Sequence, residues 1–357
     1  MTTKIISYDV SLCIQPQTDP TWTNSKGTIA ALDGLIVTLT DEAGRRGEGH
    51  IEAVAFYADS IAGSRAAIDE VCPLFIGHDP AEIEMLLATM NRALNAHDPV
   101  KAGIDCALHD LLAVQRGVPL NQLFGGARHP VIAMQRIIPI KSPEAMAADA
   151  VALVAQGYGA LKLKIDADGD GAVARTAAVR AAVGPGVRIS VDANQAYIAK
   201  EFIPVMRGLQ AQGVDLIEQP VKGDDFGGLK FIRDRADVII EADESARSLK
   251  NVVDLIAMEA CDSFNLKVFG LGGLRNTVVA ARMVEAARLN HRIGTAFGPR
   301  LIAAQSAHVA ASMARVFYPL EFAEFEHFGD DPHEGLEIEA GHLHLPTGVG
   351  TGLHRRH

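Results

Sequence analysis

The chain has 357 residues, 48% of them hydrophobic, and a formal net charge of −11. That length can bury a sizeable core and suggests two domains or one large barrel with an appendage. The charge is dispersed without a Lys/Arg run, which argues against nucleic acid and anionic membrane surfaces as partners, and no apolar run approaches a membrane span. The N-terminus has no signal-type apolar region, and Cys13, Cys72, Cys106 and Cys261 are scattered with no C-x-x-C pair. They read as free thiols of a cytoplasmic protein.

Residues 3 to about 52 read as an antiparallel meander. Lys4 to Ile14 alternates, Gly34 to Thr40 is a β-branched run, Asp41-Glu42-Ala43-Gly44 is a turn, and a third strand lies near Gly47 to Ile51. Between the first two strands, Gln15 to Gly27 is a polar loop holding the only tryptophan, Trp22; it reads as a lid over a pocket or an ordinary exposed excursion. Ala53 to Val71, Pro80 to Asn95 and Val100 to Arg116 have helical spacing, closed by Gly117-Val118-Pro119 and Gly125-Gly126. His109-Asp110 falls inside the last of these and reads as a structural pair.

From Val131 the pattern alternates strand and helix, with strands expected near 131, 161, 188, 214, 238, 263, 291 and 321. A regular run of βα units argues for a parallel barrel, with active groups at the C-terminal strand ends. Residues 335–353, short strands and Gly-rich turns, are expected to return to the N-terminal part.

The organising stretch is Leu161-Lys162-Leu163-Lys164-Ile165-Asp166. Strand alternation puts Lys162 and Lys164 on one face and the apolar residues on the other. Four later strand candidates each end near an ionisable residue: Asp192, Glu218, Asp243 and Lys267. From Lys164 these fall 28, 26, 25 and 24 residues apart, and one strand, one helix and two loops take roughly 25 residues. Neighbouring strands therefore set Asp192, Glu218 and Asp243 side by side on one rim, where three carboxylates call for a cation. All-oxygen ligands suit Mg²⁺ or Mn²⁺ better than zinc. Lys164 and Lys267 flank the trio, an arrangement suited to proton abstraction beside a carboxylate. For that the lysine pKa must fall toward neutrality, with burial, Lys162 and the metal pushing down and the carboxylates pulling back. Lys162 is read as acting on Lys164 and on the developing enolate charge.

The residues that carry this order also carry a resemblance. Lys162-x-Lys164, Asp192-x-Asn194, Glu218-Gln219-Pro220, Ala242-Asp243-Glu244-Ser245, Asn265-x-Lys267 and Gly272-Gly273, with the helical stretch Ala102 to Asp110, resemble the enolase superfamily and its muconate lactonizing enzyme subgroup over essentially the whole chain. The resemblance implies an α/β fold, a modified TIM barrel of (β/α)7β type with an N-terminal α+β capping domain. On this sequence that becomes a cap over 1–128 with specificity loops near 15–27 and 47–52, a barrel over 129–327, and a segment 328–357 returning to the cap. It implies Mg²⁺ on Asp192, Glu218 and Asp243, with Lys164 and Lys267 as the acid/base pair; lysine and Mg²⁺ sites of this type are a known pattern.

Departures from the family pattern bear on the substrate. Where relatives usually read G-W-G-E, this chain has Gly47-Glu48-Gly49-His50, which sets His50 at a position that often faces the pocket. The eighth-strand segment, residues 321–328, offers Glu324 for a substrate ammonium, and seventh-strand Gly294-Thr295-Ala296 has no acid. Arg136 binds a second carboxylate if its side of the strand faces inward and is a helix-facing ion-pair partner if outward. Trp22 and Asn194 complete the candidate substrate contacts. The reading is a racemase or epimerase acting on a small carboxylate, an amino-acid derivative, in a homo-oligomer. A dehydratase or cycloisomerase uses the same parts, and a non-catalytic barrel that binds a metal-carboxylate ligand is the rival of another class. Gly270-Leu271-Gly272-Gly273 resembles a dinucleotide loop but lacks the full G-x-G-x-x-G.

Overall fold

The computed structural model describes residues 3–25, 27–28, 30–53, 60–295 and 297–356. The capping domain starts with a three-stranded antiparallel sheet, β1 (Ile5–Pro16), β2 (Ala31–Asp41) and β3 (Arg46–Glu52), with β2 in the middle. Both faces of β2 are covered, so it reads as a continuous apolar run. Three helices follow, α1 (Ile61–Val71), α2 (Ile83–Ala93) and α3 (Asp98–Arg116). The helix expected from Ala53 begins at Ile61, and residues 54–59, like Lys26 and Ala296, lie outside the described residues.

Glycine determines how α3 meets the sheet. A Cβ on Gly49 would lie 1.9 Å from the Gly103 carbonyl oxygen, and one on Gly47 would lie 2.2 Å from the Leu111 nitrogen. The G-x-G of β3 therefore lets a helix backbone rest directly on a strand. Leu35, Val37, Leu39, Ile51, Ile68, Phe75, Leu86, Ile104 and Leu108 fill the space between. His109 and Asp110 are structural, as the sequence suggested: His109 Nδ1 lies 2.9 Å from the Asp105 carbonyl, and Asp110 accepts the Glu48 and Thr351 backbone N–H groups at 3.0 Å each.

The barrel is a seven-stranded parallel sheet in sequential order. Its strands are β4 (Arg136–Ile138), β5 (Ala160–Lys164), β6 (Arg188–Asp192), β7 (Leu216–Glu218), β8 (Ile239–Ala242), β9 (Ser263–Lys267) and β10 (Asn290–Gly294). Helices α4 (Pro143–Ala155) to α10 (Arg300–Ser312) follow them one by one. Several of these helices start at a side-chain cap, as where Ser142 accepts the Ala145 N–H ahead of Pro143 on α4. The core is aliphatic, with Leu161, Leu163, Ile189, Val191, Ile217, Ile240, Phe264 and Leu266 buried among the helices.

Two expectations change. The strand expected over 131–140 is split: Val131–Ala133 pairs antiparallel with His342–His344, outside the barrel, and only Arg136–Ile138 joins the parallel sheet. At the eighth position no strand forms among the described residues; a single parallel bridge, Met134 to Leu320, places Glu321 beside the first strand. The C-terminal segment contacts β3, with Arg355 Nη1 2.7 Å from Glu48 Oε1 and His333 Nε2 2.8 Å from Glu48 Oε2.

Candidate active site

Parallel register brings the ionisable strand ends together. Lys164 pairs with Asp192, Asp192 with Glu218, and Glu218 with Glu241, so each carries its side chain to the same face as its neighbour. On β5, Leu161 and Leu163 belong to the helix-facing core while Lys162 and Lys164 enter the barrel. Lys162 is 1% exposed, and its Nζ lies 2.7 Å from Glu218 Oε2, 2.7 Å from Glu321 Oε2 and 3.4 Å from Asp192 Oδ2. Lys164 Nζ donates to Asp192 Oδ2 at 2.7 Å and to Asn194 Oδ1 at 2.9 Å. Across the rim Lys267 Nζ donates to Asp243 Oδ2 at 2.5 Å. One lysine thus stands on each flank of the carboxylates, and both line the same cavity of about 470 Å³.

Burial and charge act against each other here. Burial is the largest influence and pushes Glu218 up, but Lys162, Arg292 and Lys267 together outweigh it and Glu218 falls to about 2. Burial also pushes Asp192 up, and Lys164 and Lys162 together bring it below the usual carboxylate value. Asp243 goes the other way: burial raises it to about 7 despite Lys267. Burial lowers Lys267, yet Asp243 and Glu218 raise it further than burial lowers it. The downward pull expected for the lysines is therefore reversed at Lys267, because its ammonium sits directly on a carboxylate.

Beneath the rim runs a layer that sequence reading missed. Arg292 on β10 donates from Nε to both Glu241 oxygens at 3.1 Å and from Nη2 to Glu218 Oε2 at 3.0 Å, and its Nη1 lies 3.3 Å from Glu321 Oε1. Asn265 Nδ2 bridges Glu218 Oε1 and Glu321 Oε1 at 3.0 Å each. The signal was in the alternation: Glu241 lies two residues before Asp243, and Arg292 two before Gly294, on the inward side.

This donor set fits a divalent cation. Five carboxylates, Asp192, Glu218, Glu241, Asp243 and Glu321, meet four cations, Lys162, Lys164, Lys267 and Arg292, leaving a balance of −1. Deprotonating one lysine makes it −2, the charge a divalent ion cancels. The ligands are hard oxygens, suited to Mg²⁺ or Mn²⁺. Among the described residues no three His, Cys, Asp or Glu side chains converge at metal-binding distance; the lysine ammoniums lie against the carboxylates instead.

The substrate-contact candidates divide. Asn194 and Glu324 line the cavity. Glu324 is 2% exposed and neither carboxylate oxygen has a hydrogen-bond partner, although His327 Nε2 lies 3.2 Å and Arg136 Nη1 3.9 Å away. Arg136 does not line the cavity; Ile137 does. Register explains it, since Arg136 pairs with helix-facing Leu161 and Ile137 with Lys162. The outward alternative holds: Arg136 donates to the Ala323 carbonyl at 2.5 Å and lies 3.5 Å from Glu326. His50 is buried outside the cavity lining, close to Gly34 and Gly298, and burial, with His333 adding to it, takes it down to about 3. Glu52, two residues on along the same strand face, lines the cavity in its place. Trp22 is 1% exposed and packs edge-on against Phe297 at 4.8 Å; Phe297 is the ring that lines the cavity. From the Trp22 loop, Asn24, Gly27 and Thr28 reach the cavity, in keeping with a covering role.

The four cysteines are buried and unpaired, and among the described residues no helix is long and apolar enough to cross a membrane.

Opposed lysines around a carboxylate trio, on a parallel barrel closed by an α+β cap, define a class of barrels equipped for proton abstraction beside a carboxylate. Residues 10–125 match the mandelate racemase / muconate lactonizing enzyme N-terminal domain, and residues 145–356 match the enolase C-terminal domain-like family. The chain belongs to the enolase superfamily, in its muconate lactonizing enzyme subgroup. The L-Ala-D/L-Glu epimerase of Bacillus subtilis is 31% identical over 88% of this chain and 86% of its own length. The dipeptide epimerase of Enterococcus faecalis, solved with Mg and the dipeptide L-Leu-L-Tyr, superposes with a TM-score of 0.94 at 28% identity, over 98% of this chain and 99% of that one. The N-succinyl Arg/Lys racemase of Bacillus cereus gives 0.95 at 26% identity, over 100% and 96%. These relatives are epimerases and racemases, and the chain is an isomerase of their superfamily.

Proposed function

We propose that this chain is a racemase or epimerase that exchanges the α-proton of a carboxylate substrate through an enediolate, with Lys164 and Lys267 as acid and base on opposite faces. The observation that carries the reading is that each lysine is anchored to a different carboxylate, Asp192 or Asp243, on opposite flanks of one cavity. One lysine takes the α-proton from one face, and the other returns a proton to the opposite face, so that configuration inverts and no atom is lost. Lys162, held by Glu218 and Glu321, supplies fixed positive charge beside the enediolate oxygens. Asp192, Glu218 and Asp243 would hold Mg²⁺, which supplies the positive charge that balances the second negative charge of the enediolate. Asn194 fixes the Lys164 ammonium, and Arg292 holds Glu218 in place from below.

Glu324 indicates the substrate class. A buried carboxylate without a hydrogen-bond partner suits an ammonium or amide N–H, which supports an amino-acid derivative such as a dipeptide or N-acyl amino acid. The test is proton NMR in D₂O with Mg²⁺ and pools of dipeptides, N-acyl amino acids and hydroxy acids. The expected result is loss of an α-proton signal with appearance of the inverted product. A vinyl or keto product would make the protein a dehydratase instead, and no exchange from any pool would refute the reading.

A further inference from the structure

The cavity contains an acid from the cap that the proposed proton transfers do not use. Glu52 closes β3, is 5% exposed, and lines the same cavity as Lys164, Lys267 and Glu324. Its strand partner on β2 is Gly34, which contributes no side chain of its own and lies against the His50 ring. Its Oε2 is buried and makes no hydrogen bond. Burial raises Glu52 to about 8 against the pull of Lys267 and Arg247, so the ionised carboxylate lacks a direct donor that a cationic ligand group would supply. Asp33, on the neighbouring strand, is exposed and is also among the residues that line the cavity.

We infer that Glu52 is a specificity-determining residue that takes an ammonium or guanidinium group at the distal end of the substrate. The inference rests on the proposed α-proton chemistry, because that chemistry fixes the other end of the molecule: the reacting carbon lies between Lys164 and Lys267, and Glu324 receives a substrate nitrogen. The substituent left over points toward the cap, where Glu52 and Asp33 present carboxylates. The preferred substrates are therefore dipeptides or N-acyl amino acids with a lysine- or arginine-type side chain. A carboxylate meeting a cation out of water gains a charge-assisted hydrogen bond that a neutral side chain of the same shape cannot offer. Arg247 lines the cavity as well, so an acidic side chain is the direct competitor to this reading.

The test uses matched pairs: L-Ala-L-Lys with L-Ala-L-norleucine, L-Ala-L-Arg with L-Ala-L-citrulline, and the corresponding N-acetyl amino acids, with L-Ala-L-Glu as the acidic member. Exchange of α-protons in D₂O is measured for the wild type and for Glu52→Gln, and binding is read separately by titration calorimetry. The wild type is expected to favour each cationic member over its neutral partner by at least ~30-fold, and Glu52→Gln to remove most of that ratio. A substitution that only loosens the cap lowers both members of a pair alike and leaves the ratio standing; that outcome, or a preference for L-Ala-L-Glu, overturns the inference. Calorimetry separates the two proposals. Cation-selective binding that depends on Glu52, without exchange, supports the subsite and refutes the racemase reading, whereas exchange without cation selectivity does the reverse.

Discussion

Replacing Arg292 by methionine tests the buried layer that supports the rim. Its guanidinium serves Glu241, Glu218 and Glu321, none of them more than 3% exposed. Glu218 and Glu321 keep Lys162 after the substitution, but Glu241 keeps only the Ser263 hydroxyl, 2.7 Å from its Oε1. One carboxylate is then stranded in the barrel interior, and removing one partner of such a buried pair costs about 3–5 kcal/mol. Arg292→Met with Glu241→Gln removes the stranded charge as well, so the double variant is expected to be at least ~2 kcal/mol more stable than the single one. Urea midpoints followed by near-UV circular dichroism, with unchanged m-values, give both numbers. A loss below ~1 kcal/mol for the single variant, or a double variant less stable than the single, would refute the argument that charge balance governs this layer.

Gly49→Ala places a Cβ on the Gly103 carbonyl, and neither backbone can retreat; a loss of ~3 kcal/mol or more, or failure to fold, is expected, and a stable variant would contradict the close packing. Burial raises Asp110 to about 7, outweighing the Glu48 and Thr351 N–H groups. An acid whose folded pKa exceeds its unfolded value of about 3.9 stabilises below that value and loses the contribution as pH rises toward the folded pKa. Wild type should therefore lose about 2–3 kcal/mol relative to Asp110→Asn between pH 5 and pH 8, and parallel stability curves would rule this out. Chelation with EDTA should abolish α-proton exchange, and Mg²⁺ or Mn²⁺ should restore it; undiminished exchange in chelator would exclude a metal-dependent site.

The order Lys, acid, acid, acid, Lys was legible because parallel βα units repeat at nearly constant length and strand alternation fixes one inward face. That logic weakens where strands are short or absent. Arg136 opens a strand of three residues whose other two members are both isoleucine, so only the register with Leu161 reveals that it faces outward. His50 and Glu52 share a strand face, and depth beneath the cap, which alternation does not encode, decides which reaches the cavity. Glu321 was hidden because the eighth position is a single bridge and not a strand. The Trp22 loop read as a lid or an exposed excursion; Asn24 and Gly27 reach the cavity, while the Trp22 ring itself is buried edge-on against Phe297.

The most direct test of the central claim is to separate the two half-reactions, incubating Lys164→Ala and Lys267→Ala in D₂O with each enantiomer of a substrate that the wild type exchanges. If the lysines act on opposite faces, each variant exchanges the α-proton of only one enantiomer, the two variants differ in which one, and neither racemises. Exchange of both enantiomers by either variant would contradict the two-lysine mechanism.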